Sequence, residues 1–155
     1  MKQKFTLSVN GKTHEVEAEP DMPLLYALRG PLEQKGPKFG CGLAQCGACT
    51  VLLDDAPIRS CVTAIADVAG EIRTLDGLGT EEAPHPVQAA FIEEEVPQCG
   101  SCTNGWMMYS VAMLEGNPNV TDADIRAEFA GLKCRCGTQM AIMRAVKRAA
   151  KEMQA

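Results

Sequence analysis

Apolar residues alternate at the start of the chain. Phe5, Leu7 and Val9 share one face of Lys4 to Val9, Asn10-Gly11 follows as a type I′ turn signal, and Thr13 to Ala18 forms the return strand. A β-hairpin therefore opens the molecule. Asp21 is placed to cap and Pro23 to fill a first turn, with Leu24, Leu25 and Leu28 on one side of a short helix that stops at Gly30 and packs on the hairpin. Further on, Thr50 to Leu53 and Pro57 to Val62 read as two strands around Asp54-Asp55, and Glu71 to Leu75 as a last one. These make a small sheet with one helix across it. From Asp76 to Pro84 the composition shifts to Gly, Thr, Glu and Pro, with neither alternation nor a helical period, which marks a linker. Everything beyond reads as helix. His85 to Glu94 carries Val87, Ala90 and Phe91 on one face, and Thr103 to Glu115 is stopped by Gly116-Asn117-Pro118. Ile125 to Ala130 follows a capping box at Thr121-x-x-Asp124, and Thr138 to Glu152 turns Ile142, Met143 and Val146 inward and Arg144, Lys147, Arg148 and Lys151 outward. The expected architecture is α+β, with a sheet domain at residues 1–76 and a helical domain at 77–155.

Cysteines interrupt this pattern at two places. FGCGLAQCGACT, from Phe39 to Thr50, is closed by Cys61, so Cys41, Cys46, Cys49 and Cys61 are spaced C-x4-C-x2-C-x11-C. That is the plant-type [2Fe–2S] spacing, in which a tight loop wraps one face of the cluster and a distant cysteine closes the other. Gly40, Gly42 and Gly47 let such a loop turn sharply and bring N–H groups to the sulfurs. The two strands around Asp54-Asp55 put Cys49 and Cys61 at the open ends of a hairpin. A disulfide framework suits four cysteines crowded around one loop poorly, and zinc is the better competitor, though the spacing is not a common zinc pattern. The other four fall in pairs, Cys99-x2-Cys102 at the start of one helix and Cys134-x-Cys136 before another. Helix N-termini facing each other suit an anionic thiolate-bound group. Taken alone, this second set holds zinc about as readily as iron and sulfide.

Composition narrows the choice. Eight cysteines fill two four-ligand sites, and with only 5% aromatic residues the apolar core is thin, so groups that bind only the folded state add needed stability. The net charge of −5, falling to roughly −9 with two oxidised clusters, argues against nucleic acid as a partner. No apolar run approaches a membrane span, and the start lacks an h-region or twin arginine. A cytoplasmic location is expected, or a periplasmic one if a partner carries the export signal. His14 and His85 have no ligand-spaced companion and fit solvent-exposed or capping roles. Met107, Met108, Met113, Met140 and Met143 read as core filling, and Glu93 to Glu95 as a solvated helix end. No nucleophile and base stand in a pocket-forming context, so no catalytic residue is expected.

KFGCGLAQCGACTV, RSCVT, HPVQAAFIEE, PQCGSC and CRCGT together resemble the small iron–sulfur subunit of the molybdenum hydroxylases, the xanthine oxidase family. The branch it is most similar to contains isoquinoline oxidoreductase, nicotinate dehydrogenase and aldehyde dehydrogenase, and the match runs over nearly the whole chain. The resemblance implies a β-grasp plant-type ferredoxin domain followed by a four-helix-bundle domain, with one [2Fe–2S] cluster in each. It implies Cys41, Cys46, Cys49 and Cys61 as ligands of the first and Cys99, Cys102, Cys134 and Cys136 as ligands of the second. The implied partner is a large subunit carrying molybdopterin as the cytosine dinucleotide and binding an aldehyde or N-heteroaromatic substrate, with an FAD subunit, cytochrome c or another acceptor receiving the electrons. Electrons would enter at the helical-domain cluster and leave from the ferredoxin-type one. Gln98 and Cys136 match positions beside the pterin, although Gln98 also fits a surface residue capping a helix. Thr103-Asn104, Trp106, Leu132-Lys133 and Gln139 depart from the family pattern, which bears on packing around the second site and on the surface offered to the partner. A free-standing two-cluster carrier and a zinc-stabilised interaction module are the competing readings.

Overall fold

The computed structural model describes residues 1–154. β1 (Gln3–Val9) and β2 (Lys12–Ala18) pair antiparallel, and the turn between them holds Asn10 and Gly11 at φ 51° and 72°, the left-handed geometry a two-residue hairpin loop needs. α1 (Leu24–Arg29) buries Leu24, Leu25, Ala27 and Leu28 against this hairpin. Asp21 does not cap it. The N–H groups of Leu24 and Leu25 donate instead to the carbonyls of Thr63 (2.8 Å) and Ser60 (3.0 Å), and Pro23 bridges to Ala64, so the chain just after the second hairpin takes the place of a cap.

β3 (Thr50–Leu53) and β4 (Ala56–Arg59) form that second hairpin around Asp54 and Asp55, both at positive φ. β4 is shorter than expected, because the chain turns back at Arg59, whose carbonyl accepts from the N–H of Val62 at 3.1 Å. β5 (Glu71–Arg73) ends early as well, giving way to a 3-10 turn over Leu75–Gly77. The five strands lie in the order β2-β1-β5-β3-β4, with β5 parallel to β1 and antiparallel to β3. Leu7, Val9, Val16, Val51, Ile65 and Ile72 close a core with α1 beneath the sheet.

The expected linker is not slack. Leu75 and Leu78 pack on the helical core, and the Asp76 carboxylate accepts from the N–H groups of Lys35 (3.0 Å) and Gly36 (2.8 Å). α2 (Pro86–Glu93) starts at His85, whose Nδ1 accepts from the Val87 N–H while Gln88 accepts from the His85 N–H. α3 (Thr103–Gly116), α4 (Asp122–Glu128, capped by the Thr121/Asp124 box) and α5 (Gln139–Met153) complete the helical half. Two surface readings change. Met140 is exposed at 66%, because it lies on the outer side of the first turn of α5. Glu94 is not a solvated end: its side chain is 15% exposed and accepts from Arg144 at 2.9 Å and Arg148 at 2.7 Å, tying α2 to α5. Among the described residues no helix is long and apolar enough to cross a membrane.

Candidate metal centres

Residues 39–49 loop away from the sheet and are closed at the base by the Lys38 N–H on the Ala48 carbonyl, 2.9 Å. Gly42, Ala44 and Gly47 take left-handed φ values of 66°, 58° and 84°, which turn successive N–H groups inward. Those of Leu43, Gln45 and Cys46 point at Cys41 Sγ (3.3, 3.2 and 3.4 Å), and that of Cys41 points at Cys46 Sγ (3.4 Å). Gly40 leaves the room this needs, since a Cβ there would lie 2.8 Å from Cys46 Sγ. The N–H of Leu43, followed by those of Gln45 and Cys46, lowers the Cys41 thiol to about 7 despite some burial. Cys49 and Cys61 form the other side. The Thr50 to Arg59 register of the hairpin brings them together, and they share a hydrogen bond beneath Leu25. Burial pushes the Cys49 thiol up to about 11.

The second set gathers at two helix N-termini. Cys102 stands at the N-cap of α3, and Cys134 and Cys136 precede Thr138 at the N-cap of α5. The thiol of Cys136 donates to Cys99 Sγ at 3.4 Å, and the thiols of Cys102 and Cys134 share a hydrogen bond. Burial raises the Cys102 thiol to about 11. At Cys134 burial also acts upward, but the hydroxyl and backbone N–H of Thr138 outweigh it and bring that thiol to about 7. The eight sulfurs are thus grouped in two quartets, each made of two pairs. All eight cysteines are free, and among the described residues no three ligand side chains converge on one point. Gln98 is exposed beside Cys99, and Cys136 is half-buried. Gln98 does not cap α3, which begins behind Cys102.

What the sequence does not announce is the seam joining the two sites. Asn104, in the first turn of α3 and 1% exposed, donates from Nδ2 to the carbonyls of Ala48 (2.9 Å) and Thr50 (2.8 Å). No protein donor reaches its Oδ1. The N–H of Lys133 reaches the Cys46 carbonyl at 3.4 Å. Arg59 donates to Thr50 Oγ1 (2.6 Å), the Ala44 carbonyl (3.3 Å) and the Gly131 carbonyl (3.5 Å), and lies 4.9 Å over the Tyr109 ring. Leu52 of β3 belongs to the helical core. In the sequence only the unusual Asn104 and the Leu132-Lys133 pair hinted at any of this.

Comparison with known proteins agrees with this geometry. A 2Fe-2S iron-sulfur cluster binding domain model matches residues 7–72, and a [2Fe-2S] binding domain model matches residues 74–147. A ferredoxin-type sheet followed by a helical bundle thus defines a two-domain iron–sulfur protein. The chain is 52% identical over 151 residues to a nicotinate dehydrogenase subunit of Pseudomonas putida, covering 97% of this chain and 96% of that one. It is 45% identical to the alpha subunit of isoquinoline 1-oxidoreductase from Brevundimonas diminuta, covering 93% and 95%. A solved structure of quinoline 2-oxidoreductase from Pseudomonas putida 86 superposes with a TM-score of 0.92 at 33% identity, covering 99% of this chain and 96% of that chain. The chain belongs to the family of small [2Fe–2S] iron–sulfur subunits of the molybdenum hydroxylases.

Proposed function

We propose that this chain carries single electrons between a molybdenum centre on a large partner subunit and an acceptor, with no substrate site of its own. Cys41, Cys46, Cys49 and Cys61 hold one [2Fe–2S] cluster within residues 1–76, and Cys99, Cys102, Cys134 and Cys136 hold the other within 77–155. The observation that carries this reading is the grouping of each quartet into two sulfur pairs, which suits a binuclear group whose irons each take two protein thiolates. A structural zinc ion needs four ligands round one point. The donor set, the N–H groups aimed at Cys41 Sγ and the space left by Gly40 all fit such a group. When bound, each group accepts and releases one electron at a time.

The protein's own contribution is local. The backbone of Leu43, Gln45 and Cys46 stabilises thiolate charge in the loop, Leu25 helps keep water from the Cys49 side, and the ends of α3 and α5 do the same for charge at the second site. Gln98 and Cys136 face the large subunit beside its molybdopterin cytosine dinucleotide, where the exposed amide can both donate and accept. The Cys41 loop, with Phe39 and Leu43 exposed, faces the acceptor, a flavin subunit or cytochrome c. The names of the related proteins, components of a nicotinate dehydrogenase and an isoquinoline oxidoreductase, support an N-heteroaromatic substrate bound on the partner, with an aldehyde as the alternative.

The test is analytical. Purified protein should contain about four iron and four acid-labile sulfide per chain and show two S = 1/2 signals on partial reduction, and it should co-purify with a molybdenum-containing chain. Colourless protein holding one or two zinc ions would sink the cluster reading, and full clusters with no large partner would leave a free-standing carrier.

A further inference from the structure

We infer that Asn104 couples the two cysteine sites: its side-chain amide ties the start of α3 to the carbonyls on both sides of Cys49, and it thereby sets the rate at which an electron crosses between them. The inference rests on the proposal that each quartet holds a [2Fe–2S] group. It makes Asn104 a positioning residue, since it touches no sulfur in the structure.

The placement is specific. Asn104 follows Cys102 by two residues, and Ala48 and Thr50 are the immediate neighbours of Cys49. The hydrogen bonds at 2.9 and 2.8 Å therefore join a second-site cysteine to a first-site cysteine through short stretches of covalent chain and one buried contact. Both N–H groups of one amide are used, and a Ser, Leu or Pro in this place could not supply them. The neighbouring backbone shows how close the approach is: a Cβ on Gly105 would sit 2.4 Å from the Gly47 carbonyl oxygen. The parallel link, Lys133 N–H to the Cys46 carbonyl, is 3.4 Å long and joins the residue before Cys134 to a first-site ligand. A contact already that long is the first to open if the seam relaxes. Asn104 thus holds its own bridge and, by clamping α3 to the loop, the Lys133 bridge as well. A polar side chain is costly in an almost solvent-free position unless its hydrogen bonds are made, and here both donors are used across the seam. A role in holding the two loops in register accounts for it.

The experiment compares wild type with Asn104→Leu, which keeps the branched shape, is somewhat bulkier and removes both donors, and with Asn104→Ser, which is smaller and keeps one donor. Glu115→Gln serves as a control, since it weakens an ion pair remote from the cysteines. Each protein is assayed for iron and sulfide, then photoreduced by a laser flash to follow the electron equilibrating between the sites, and its fully reduced form is examined by low-temperature EPR for spin–spin splitting. Asn104→Leu should retain its iron, equilibrate severalfold more slowly and show weaker splitting, since both the rate and the splitting fall as the two groups move apart. Asn104→Ser should fall between, and Glu115→Gln should match wild type. Equilibration of the iron-replete Leu variant at the wild-type rate overturns the inference and leaves the cluster assignment intact. If the Leu variant loses iron, the Ser variant decides by the same criterion. A wild type without two S = 1/2 signals overturns the cluster assignment and this inference with it.

Discussion

Replacing Gly105 by alanine adds one methyl group where two backbones meet. Its Cβ would lie 2.4 Å from the Gly47 carbonyl oxygen and 2.8 Å from the Gly47 carbonyl carbon, against 3.4–4 Å for ordinary contact, so α3 and the cysteine loop must separate by about 1 Å. Neither obstructing atom can swing away, because both are main chain, and overpacking of this kind costs about 1–3 kcal/mol, here toward the upper end. Alanine returns at most about 1 kcal/mol through its better helix propensity. The net loss is about 2 kcal/mol, or ~6 °C in melting temperature for a chain of this size. Gly116, at the other end of the same helix, has nothing within 4 Å of its would-be Cβ, and Gly116→Ala should raise the melting temperature by ~1–2 °C. Far-UV circular dichroism melts would be run on preparations matched for iron, since a group bound only to the folded state raises the midpoint by itself. Gly105→Ala melting at or above wild type, or the two alanines shifting the midpoint in the same direction, would refute the close-approach argument.

Three further outcomes follow from the packing. Arg73 and, less strongly, His85 hold the Glu115 carboxyl below the ordinary glutamate range, so its contribution is present above the unfolded pKa of about 4.3 and is lost as pH falls through the lower folded value. Glu115→Gln should therefore lower the melting temperature at pH 7 by an amount worth under ~1 kcal/mol, given the partial exposure, and the gap from wild type should narrow in melts at pH 3.5. Thr121→Ala removes the acceptor for the Asp124 N–H and should lower the urea midpoint by the equivalent of about 1 kcal/mol. Arg59→Leu removes the bonds to Thr50, Ala44 and Gly131 together with the Tyr109 contact, and hydrogen exchange should quicken at the amides of Leu43, Gln45 and Cys46 while those of β1 and β2 stay protected.

Features written into neighbouring residues were legible before the structure. The Asn10-Gly11 turn, the Thr121/Asp124 box and the hairpin around Asp54-Asp55 each depend on contacts within a few positions, and each stands where the pattern puts it. The cysteine spacings likewise encode local loop geometry, and the loop at 39–49 with its inward N–H groups follows from them. What the chain order hides is non-local. β5 inserts between β1 and β3, and nothing in the alternation of Glu71 to Leu75 names its neighbours. Asp21 looked like a cap because Ser60 and Thr63, which satisfy the helix start, are distant in sequence. Glu94 looked solvated because Arg144 and Arg148 arrive from a helix some fifty residues further along, and Met140 looked internal because composition does not tell which side of the first turn of α5 faces out. Asn104 escaped for the same reason, since its partners belong to the other half of the molecule, and so did the contacts of Arg59 with Gly131 and Tyr109.

The strand order has a consequence for how the protein is made. β1 leaves the ribosome well ahead of its parallel partner β5, which comes more than sixty residues later, and the first cysteine loop runs into β3, which β5 must also join. During synthesis the opening hairpin therefore waits with one edge uncovered, and the loop around Cys41 gains its full support only once residues 71–73 emerge. The second site waits longer still, since Cys134 and Cys136 are steadied by α5, which follows both of them in the chain. Translation thus completes the two cysteine sites one after the other, the Cys41 site first, in the reverse of the order in which we propose electrons visit them.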